Sequence, residues 1–138
     1  MQTTISDRIE QITSRLVPEP PGGIFSNALK VGDQVFLAGM TATGEDGAAI
    51  GGASAYEQAR VCFQRIAHLA DAAGGSIADV VKMTVYLKNM DDRAGLLRAR
   101  AGFFTPPLPC STLIGVNALA RPDLLVEVDA ALVLGAGG

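Results

Sequence analysis

The sequence contains few of the side chains that build metal centres and disulfide frameworks. Its 138 residues include two cysteines and one histidine. Cys62 falls in a helical pattern and Cys110 at the entry to a strand-like segment, so their spacing matches neither a zinc motif nor a disulfide-stapled secreted domain. We therefore expect both thiols to be reduced and the fold to need no metal.

An excess of positive charge and long apolar runs are also missing. Eleven Lys and Arg against 14 Asp and Glu give a formal net charge of -3, which lacks the basic surface typical of nucleic-acid-binding proteins. No apolar run is long enough to span a bilayer, and the start, MQTTIS, lacks the order of a signal peptide. We expect a cytoplasmic protein that binds neither nucleic acid nor membrane.

The first part of the chain has the apolar spacing of a helix, followed by prolines. Residues that recur at this spacing are Ile5, Ile9, Ile12 and Leu16, and the prolines are Pro18, Pro20 and Pro21. The pattern predicts an N-terminal helix and a proline-rich lead-in over residues 1–21, and one domain over residues 22–138. A domain of this length buries a core without disulfides.

Alternating apolar residues and turn signals predict the remaining elements. Strands are predicted over residues 24–31, 34–39 and 80–88, helices over 54–73 and from 91 to about 104, and a closing strand pair from 110 and from 124. This order indicates an α+β fold in which two helices cover one face of a sheet.

The other face of the last strand is partly apolar. Glu127 and Asp129 share that side with Leu125, Ala131 and Val133 because side chains alternate along a strand. With hydrophobic residues at 49% of the chain, such a face is best buried against other subunits, and we predict an oligomer.

Several segments, in order, resemble those of the RidA/YjgF family, whose members are also labelled L-PSP endoribonucleases. The matching segments are 23–28 (GIFSNA), 35–40 (VFLAGM), 79–87 (DVVKMTVYL), 106–112 (PPLPCST) and 124–130 (LLVEVDA). The resemblance implies a roughly six-stranded mixed sheet, as in chorismate mutase-like folds, with two helices on one face. It also implies a homotrimer with a barrel-like core and ligand clefts between subunits.

The resemblance further implies hydrolysis of an enamine or imine without a cofactor. Glu127 stands where the family has the glutamate that positions water, whereas Cys110 stands at the position of the arginine that holds the substrate carboxylate. Phe25 replaces a tyrosine and Leu97 an asparagine, so three polar contacts are altered. The ligand-binding candidates are Phe25, Gly39, Met40, Leu97, Arg100, Ser111 and Thr112.

Cys110 has three open interpretations: a nucleophile, a thiol that lines the pocket, or a buried packing residue. A Cys-His pair would need His68, the only histidine of the chain, and helix spacing alone does not aim it at Cys110. Substitute positive charges come from Arg98, Arg100 or Arg121, each of which also fits a solvated surface residue.

Two classes of function follow. The chain is either a small hydrolase or deaminase in which Glu127 directs water, or a non-catalytic trimer that binds a metabolite between subunits. Glu127 favours the enzyme, and the absent arginine favours the binding protein. A ribonuclease is disfavoured because neither a basic surface nor a histidine-rich site is present.

Overall fold

The computed structural model describes residues 8–138 and contains a single six-stranded sheet with two α-helices. The strands are β1 (Ile9–Ile12), β2 (Ala28–Val31), β3 (Gln34–Met40), β4 (Val80–Leu87), β5 (Cys110–Gly115) and β6 (Val126–Val133), and the helices are α1 (Ala55–Ala72) and α2 (Arg93–Ala101). This confirms the predicted α+β fold with a mixed sheet.

The strands are arranged in the order β1-β2-β3-β6-β4-β5. β4 and β5 run parallel and every other pair is antiparallel. The prediction of a closing strand pair was wrong, because β6 lies between β3 and β4, and within residues 8–138 β5 pairs with β4 alone. Residues 116–125 are too long a connection to impose a hairpin, so the longer-range pairing prevails.

The N-terminal helix prediction was wrong where the structure tests it. Ile9–Ile12 forms β1, which pairs with β2 from Ile9 opposite Val31 to Ile12 opposite Ala28. Only Ile12 is buried among these four residues, so pairing at the sheet edge outweighs the helical spacing. Residues 1–7 of that prediction lie outside the described part of the chain. The predicted first strand is also shorter, since β2 begins at Ala28 rather than at residue 24.

α1 follows its sequence signals closely. The Ser54 hydroxyl caps the helix by accepting the Glu57 N–H at 3.2 Å, and Gly74 ends it with a φ of +94°. The buried stripe includes Cys62, Phe63 and Ile66. α2 is shorter than predicted, since it ends at Ala101 rather than near residue 104.

The core lies between the two helices and one face of the sheet. Phe63 of α1 packs against Phe103 and Phe104, with ring centroids 5.5 and 5.7 Å apart. Burial alternates strictly along β6, with Val126, Val128, Ala130 and Leu132 buried. No helix of residues 8–138 packs on the opposite face of the sheet, which is called the open face below. No helix within residues 8–138 is long and apolar enough to cross a membrane.

Candidate functional site

Glu127 lies on the open face, in the middle of the sheet. It belongs to β6, and the residue opposite it on the adjacent strand β4 is Tyr86. Burial raises the pKa of Glu127, and the nearby charge of Asp129 raises it further. A carboxyl group with a raised pKa is suited to accept and return a proton near neutral pH.

The side chain of Glu127 occupies space that Gly39 leaves empty. Leu37 pairs with Ala130 but Met40 with Val128, so β3 carries one extra residue in this stretch and forms a β-bulge. A Cβ atom built on Gly39 would come within 2.6 Å of the Glu127 Cδ. We expected a ligand to approach the backbone of Gly39; instead, the glutamate side chain occupies that position in the single chain.

A second carboxylate and a tyrosine flank Glu127 on the open face. The Tyr86 hydroxyl donates a hydrogen bond to Asp129 Oδ2 at 2.9 Å. This bond raises the pKa of Tyr86, and burial adds to the shift. Neither residue was a candidate from sequence, although the alternation of β4 and β6 was enough to place both on one face with Glu127.

Two polar residues of α1 fix the strands that carry Glu127 and Gly39. Fully buried Gln58 donates to Gly52 O at 2.7 Å and Asp123 O at 2.9 Å, and accepts the Leu125 N–H at 2.9 Å. Its position on the apolar stripe of α1 was a signal that sequence reasoning missed. Arg65 donates to Thr41 O and Thr43 O at 2.6 and 2.7 Å, which holds the segment after β3.

On the other side of the sheet, α2 and β5 form a cleft of about 480 Å³. Three predicted ligand-binding residues line it, namely Leu97, Arg100 and Ser111. Ser111 pairs with Met83, whose side chain is in the core, so Ser111 faces the helices. The Arg100 Nη1 donates to Ser111 Oγ at 2.9 Å.

The three candidate substitute arginines have different surroundings. Arg98 stacks on Tyr56, with its guanidinium carbon 4.8 Å from the ring centroid. Arg121 pairs with Asp123 at 3.4 Å. Arg100 alone of the three lies in the cleft beside α2 and contacts a neutral hydroxyl group.

Cys110 and Thr112 do not share the cleft with Ser111. They pair with Lys82 and Thr84, so they point toward the open face. Cys110 is exposed and lines a neighbouring hollow of about 310 Å³, which shares the proline segment before β5 with the cleft. By strand register Cys110 lies level with Ala131 of β6, two strands away, and Ala131 is four residues from Glu127. The backbones of Cys110 and Glu127 are therefore about 16 Å apart.

A partner base for Cys110 does not come from α1. His68 is on that helix, which packs over β3 and β6 on the helix side of the sheet. Cys110 is exposed on the edge strand and faces the other way, so the interpretation as a buried packing residue was wrong. The other cysteine, Cys62, is fully buried, and burial raises its pKa to about 12.

Two further predicted ligand-binding residues, Met40 and Phe25, differ in their exposure to solvent. Met40 is 3% exposed and packs in the core, which corrects its assignment, since its side chain cannot reach a ligand. Phe25 is 54% exposed and lies two residues before Asn27, whose carbonyl accepts the Ala38 N–H at 2.8 Å. Within residues 8–138, no group of three His, Cys, Asp or Glu side chains is placed to hold a metal ion.

Comparisons with known proteins match most of the chain. A family model described as "Endoribonuclease L-PSP" matches residues 17–134. A RutC family protein of Sinorhizobium fredii is 36% identical over 130 residues, covering 91% of this chain and 98% of the relative. A 2-iminobutanoate/2-iminopropanoate deaminase of Dermatophagoides farinae is 26% identical, covering 89% and 94%. The crystal structure of RidA from an Antarctic Psychrobacter superimposes with a TM-score of 0.82 at 30% identity, covering 91% and 99%.

Proposed function

Because the chain belongs to the L-PSP endoribonuclease family, together with the RidA and RutC proteins it matches, we propose that it hydrolyses small imines. In this reaction water adds to the carbon of a C=N bond, the C–N bond breaks, and ammonia and a carbonyl compound are released. An enamine enters the same route after tautomerising to the imine. The deaminase name of the Dermatophagoides relative supports this class of reaction.

The observation that carries the proposal is the environment of Glu127. The carboxyl group is half-buried and has a raised pKa, and Gly39 leaves room for it in the sheet. In this proposal Glu127 accepts a proton from the attacking water and returns it to the departing nitrogen. General acid–base catalysis of this kind contributes about 10²–10⁴-fold to a rate.

In this proposal one ligand contacts two half-sites, which lie on opposite faces of one sheet. Glu127 and Gly39 are on the open face, whereas Arg100, Ser111 and Leu97 line the cleft beside α2. The sheet itself separates the two half-sites, so one copy of the chain cannot bring both half-sites to one ligand. We therefore propose that two copies in a homotrimer build each site, with Cys110 and Phe25 at its rim.

Exposed apolar residues on the open face support such an assembly. Phe36 is 48% exposed and Ile114 40% exposed, and both share the face of Glu127 by register. Contact with a second copy would remove them from water. Sedimentation equilibrium at several protein concentrations tests this point, and a monomer at micromolar concentration would refute the two-copy site.

The reaction is tested by generating the enamine 2-aminoacrylate and a set of imines in situ and following the release of ammonia. We expect the protein to accelerate release and Glu127→Gln to slow it by about a hundredfold or more. Glu10→Gln, which changes an exposed glutamate of β1, is the matched control and should match the parent. Acceleration that persists in Glu127→Gln would contradict the proposed role.

The alternative is a trimeric protein that binds a metabolite without turning it over. The separation of Arg100 from Glu127 in one chain favours it, since a cleft with a cation but no nearby acid binds anions without providing a base. Saturable ligand binding with no acceleration for any imine would favour this function over hydrolysis.

A further inference from the structure

We propose that Asp129, tethered by the hydroxyl group of Tyr86, is a positioning residue for Glu127 and sets the pH range over which Glu127 takes up a proton. This deepens the proposed function by naming the residues that regulate its acid–base group. The kinetic test below rests on the proposed function, whereas the proton uptake of Glu127 is measurable whether or not the chain hydrolyses an imine.

The two carboxylates lie side by side on the open face. Glu127 and Asp129 are two residues apart on β6, so their side chains point to the same side and their backbones are about 7 Å apart. Both side chains are partly buried, and water screens partly buried charges less than exposed ones. A negative charge at this distance favours the protonated form of its neighbour. Asp129 therefore makes Glu127 a stronger base than an isolated surface glutamate.

The Tyr86 hydroxyl bonds to Asp129 rather than to the residue it faces in register. Tyr86 lies opposite Glu127, and Thr84 lies opposite Asp129. The hydroxyl nevertheless reaches diagonally across the strands and donates to Asp129 Oδ2 at 2.9 Å, a span that an aromatic side chain can cover. Because a phenol carries one O–H, this bond leaves none for Glu127. The tether fixes the Asp129 carboxylate beside Glu127, although repulsion between two carboxylates favours turning it away.

Other ionisable groups on the elements packed against β6 do not replace Asp129. On β4, the residue after it and α1, they are Lys82, Tyr86, Lys88, Cys62 and Arg65; β3 has none. The Lys88 ammonium donates to Pro122 O at 2.7 Å. Burial raises the pKa of Cys62 to about 12, which keeps the thiol neutral.

The cations near Glu127 are the same in parent and variants. Lys82 lies opposite Ala131, four residues from Glu127 along β6, and Arg65 donates to the Thr41 and Thr43 carbonyls. In the proposed two-copy site, Arg100 of the second copy adds another cation. Since none of these side chains is substituted below, the difference between parent and variant isolates the pair formed by Tyr86 and Asp129.

Carbon-13 NMR measures the proton uptake of Glu127 directly. Protein labelled at the glutamate carboxyl carbon is titrated from pH 4 to pH 8, and Glu127→Gln identifies the signal. Asp129→Asn removes the charge, while its amide oxygen can still accept from Tyr86, so the Glu127 titration should move to lower pH. Asp129→Glu keeps the charge and should stay near the parent. Asp71→Asn, at an exposed position of α1, is the control for a lost charge elsewhere and should cause no shift.

Tyr86→Phe tests the tether. The released Asp129 carboxylate should turn away from Glu127, so the Glu127 titration should move in the same direction as in Asp129→Asn and by less. In an Asp129→Asn background, Tyr86→Phe should cause no further shift, because the bonded group there carries no charge. Tyr56→Phe, at the other tyrosine of the chain, is the matched control and should leave the Glu127 titration unchanged.

The rate of imine hydrolysis gives a second readout. A base accepts a proton only when it is ionised, so the rate falls as the pH drops through the pKa of Glu127. The ratio of variant to parent at each pH cancels the ionisation of the substrate. In Asp129→Asn the acidic limb of kcat/KM should move to lower pH, and the plateau should fall because Glu127 becomes a weaker base. A purely structural defect would lower the rate by one factor at every pH.

The outcomes separate this inference from the proposed function. A Glu127 titration that is unchanged in folded Asp129→Asn and Tyr86→Phe, or that shifts equally in Asp71→Asn, would overturn the inference. Hydrolysis that depends on Glu127 but keeps its acidic limb in Asp129→Asn would overturn it too and leave the proposed function standing. A shifted Glu127 titration in a protein that hydrolyses no imine would support the inference and refute the proposed reaction. If Asp129→Asn does not fold, Tyr86→Phe measured against Tyr56→Phe decides the question.

Discussion

Asp79 and Glu127 both lie over a glycine, yet their pKa values move in opposite directions. A Cβ atom on Gly75 would come within 3.5 Å of the Asp79 Cγ, as one on Gly39 would meet Glu127. Asp79 accepts the Gly137 N–H at 2.8 Å and the Ser76 N–H at 3.1 Å. The Gly137 bond is the main cause that lowers the pKa of Asp79, against the effect of burial.

Glu127 has burial without that compensation. Burial and Asp129 both raise its pKa, and no donor within residues 8–138 offsets them. The difference shows how one fold uses two carboxylates: backbone donors make Asp79 a fixed structural group that ties the chain end to the turn before β4. Without such donors the pKa of Glu127 stays raised. The proposed chemistry depends on this contrast.

The largest expected change in stability is that of Asp79→Asn. Loss of the charged acceptor should lower the free energy of unfolding by about 3 kcal/mol at pH 7, because the amide cannot accept both N–H groups equally well. Urea unfolding of parent and variant at one protein concentration measures the change. Asp71→Asn, at an exposed position of α1, should change the stability by less than about 0.5 kcal/mol.

The pH dependence of this effect has a definite sign. The folded pKa of Asp79 is lowered, so its contribution is present above the unfolded value of about 3.9 and is lost as the pH falls through the folded value. The deficit of Asp79→Asn should therefore shrink below pH 4. A deficit that stays constant from pH 7 to pH 3 would show that the charge of Asp79 is not what stabilises this corner.

Local signals predicted the elements that carry Glu127, but not the neighbours of those elements. Strict alternation fixed the face of Glu127 on β6, and the cap and apolar stripe fixed α1. The placement of β6 between β3 and β4 depends on long-range pairing that no local pattern records. The helix prediction failed at β1 because the conformation of four residues at a sheet edge is decided by the paired strand rather than by intrinsic propensity.

The two half-sites were predictable to different degrees. Glu127 and Ser111 follow from strand alternation once their strands are known. The contact between Arg100 and Ser111 depends on how α2 is rotated against β5, which side-chain packing decides. The same limit applies to Gly39, since its role arises from a bulge opposite β6.

A smaller effect is expected where Gly39 is enlarged beside Glu127. Gly39 does not have a positive φ, so alanine fits its backbone, and the three atoms nearest to the added Cβ all belong to the Glu127 side chain. Gly39→Ala should cost about 1–3 kcal/mol. In a Glu127→Ala background the cost should largely disappear, and a double-mutant cycle of unfolding free energies measures this coupling.

Gly115→Ala is the control for the Gly39 cycle. Gly115 also has no positive φ, but its added Cβ would meet only the flexible end of Met90, at 3.2 Å. It should cost little and show no coupling to Glu127. Additive costs for Gly39→Ala and Glu127→Ala would mean that the glycine does not make room for the acid.

The smallest effect concerns the stability cost of Glu127 itself. Its folded pKa is raised, so the group favours folding below the unfolded value of about 4.3 and loses that contribution as the pH rises through the folded value. At pH 7 the ionised carboxylate is held partly away from water, and Glu127→Gln should stabilise the protein. The gain should stay below about 1 kcal/mol because the group is only half-buried.

Unfolding measurements from pH 4 to pH 8 at one protein concentration reveal this gain. The advantage of Glu127→Gln over the parent should be absent near pH 4 and grow toward pH 8, the reverse of the trend for Asp79→Asn. Such a result would mean that the acid proposed to direct water is retained at a cost in stability, as expected of a residue kept for chemistry. An advantage independent of pH would instead assign the gain to packing and remove the contrast between the two acids.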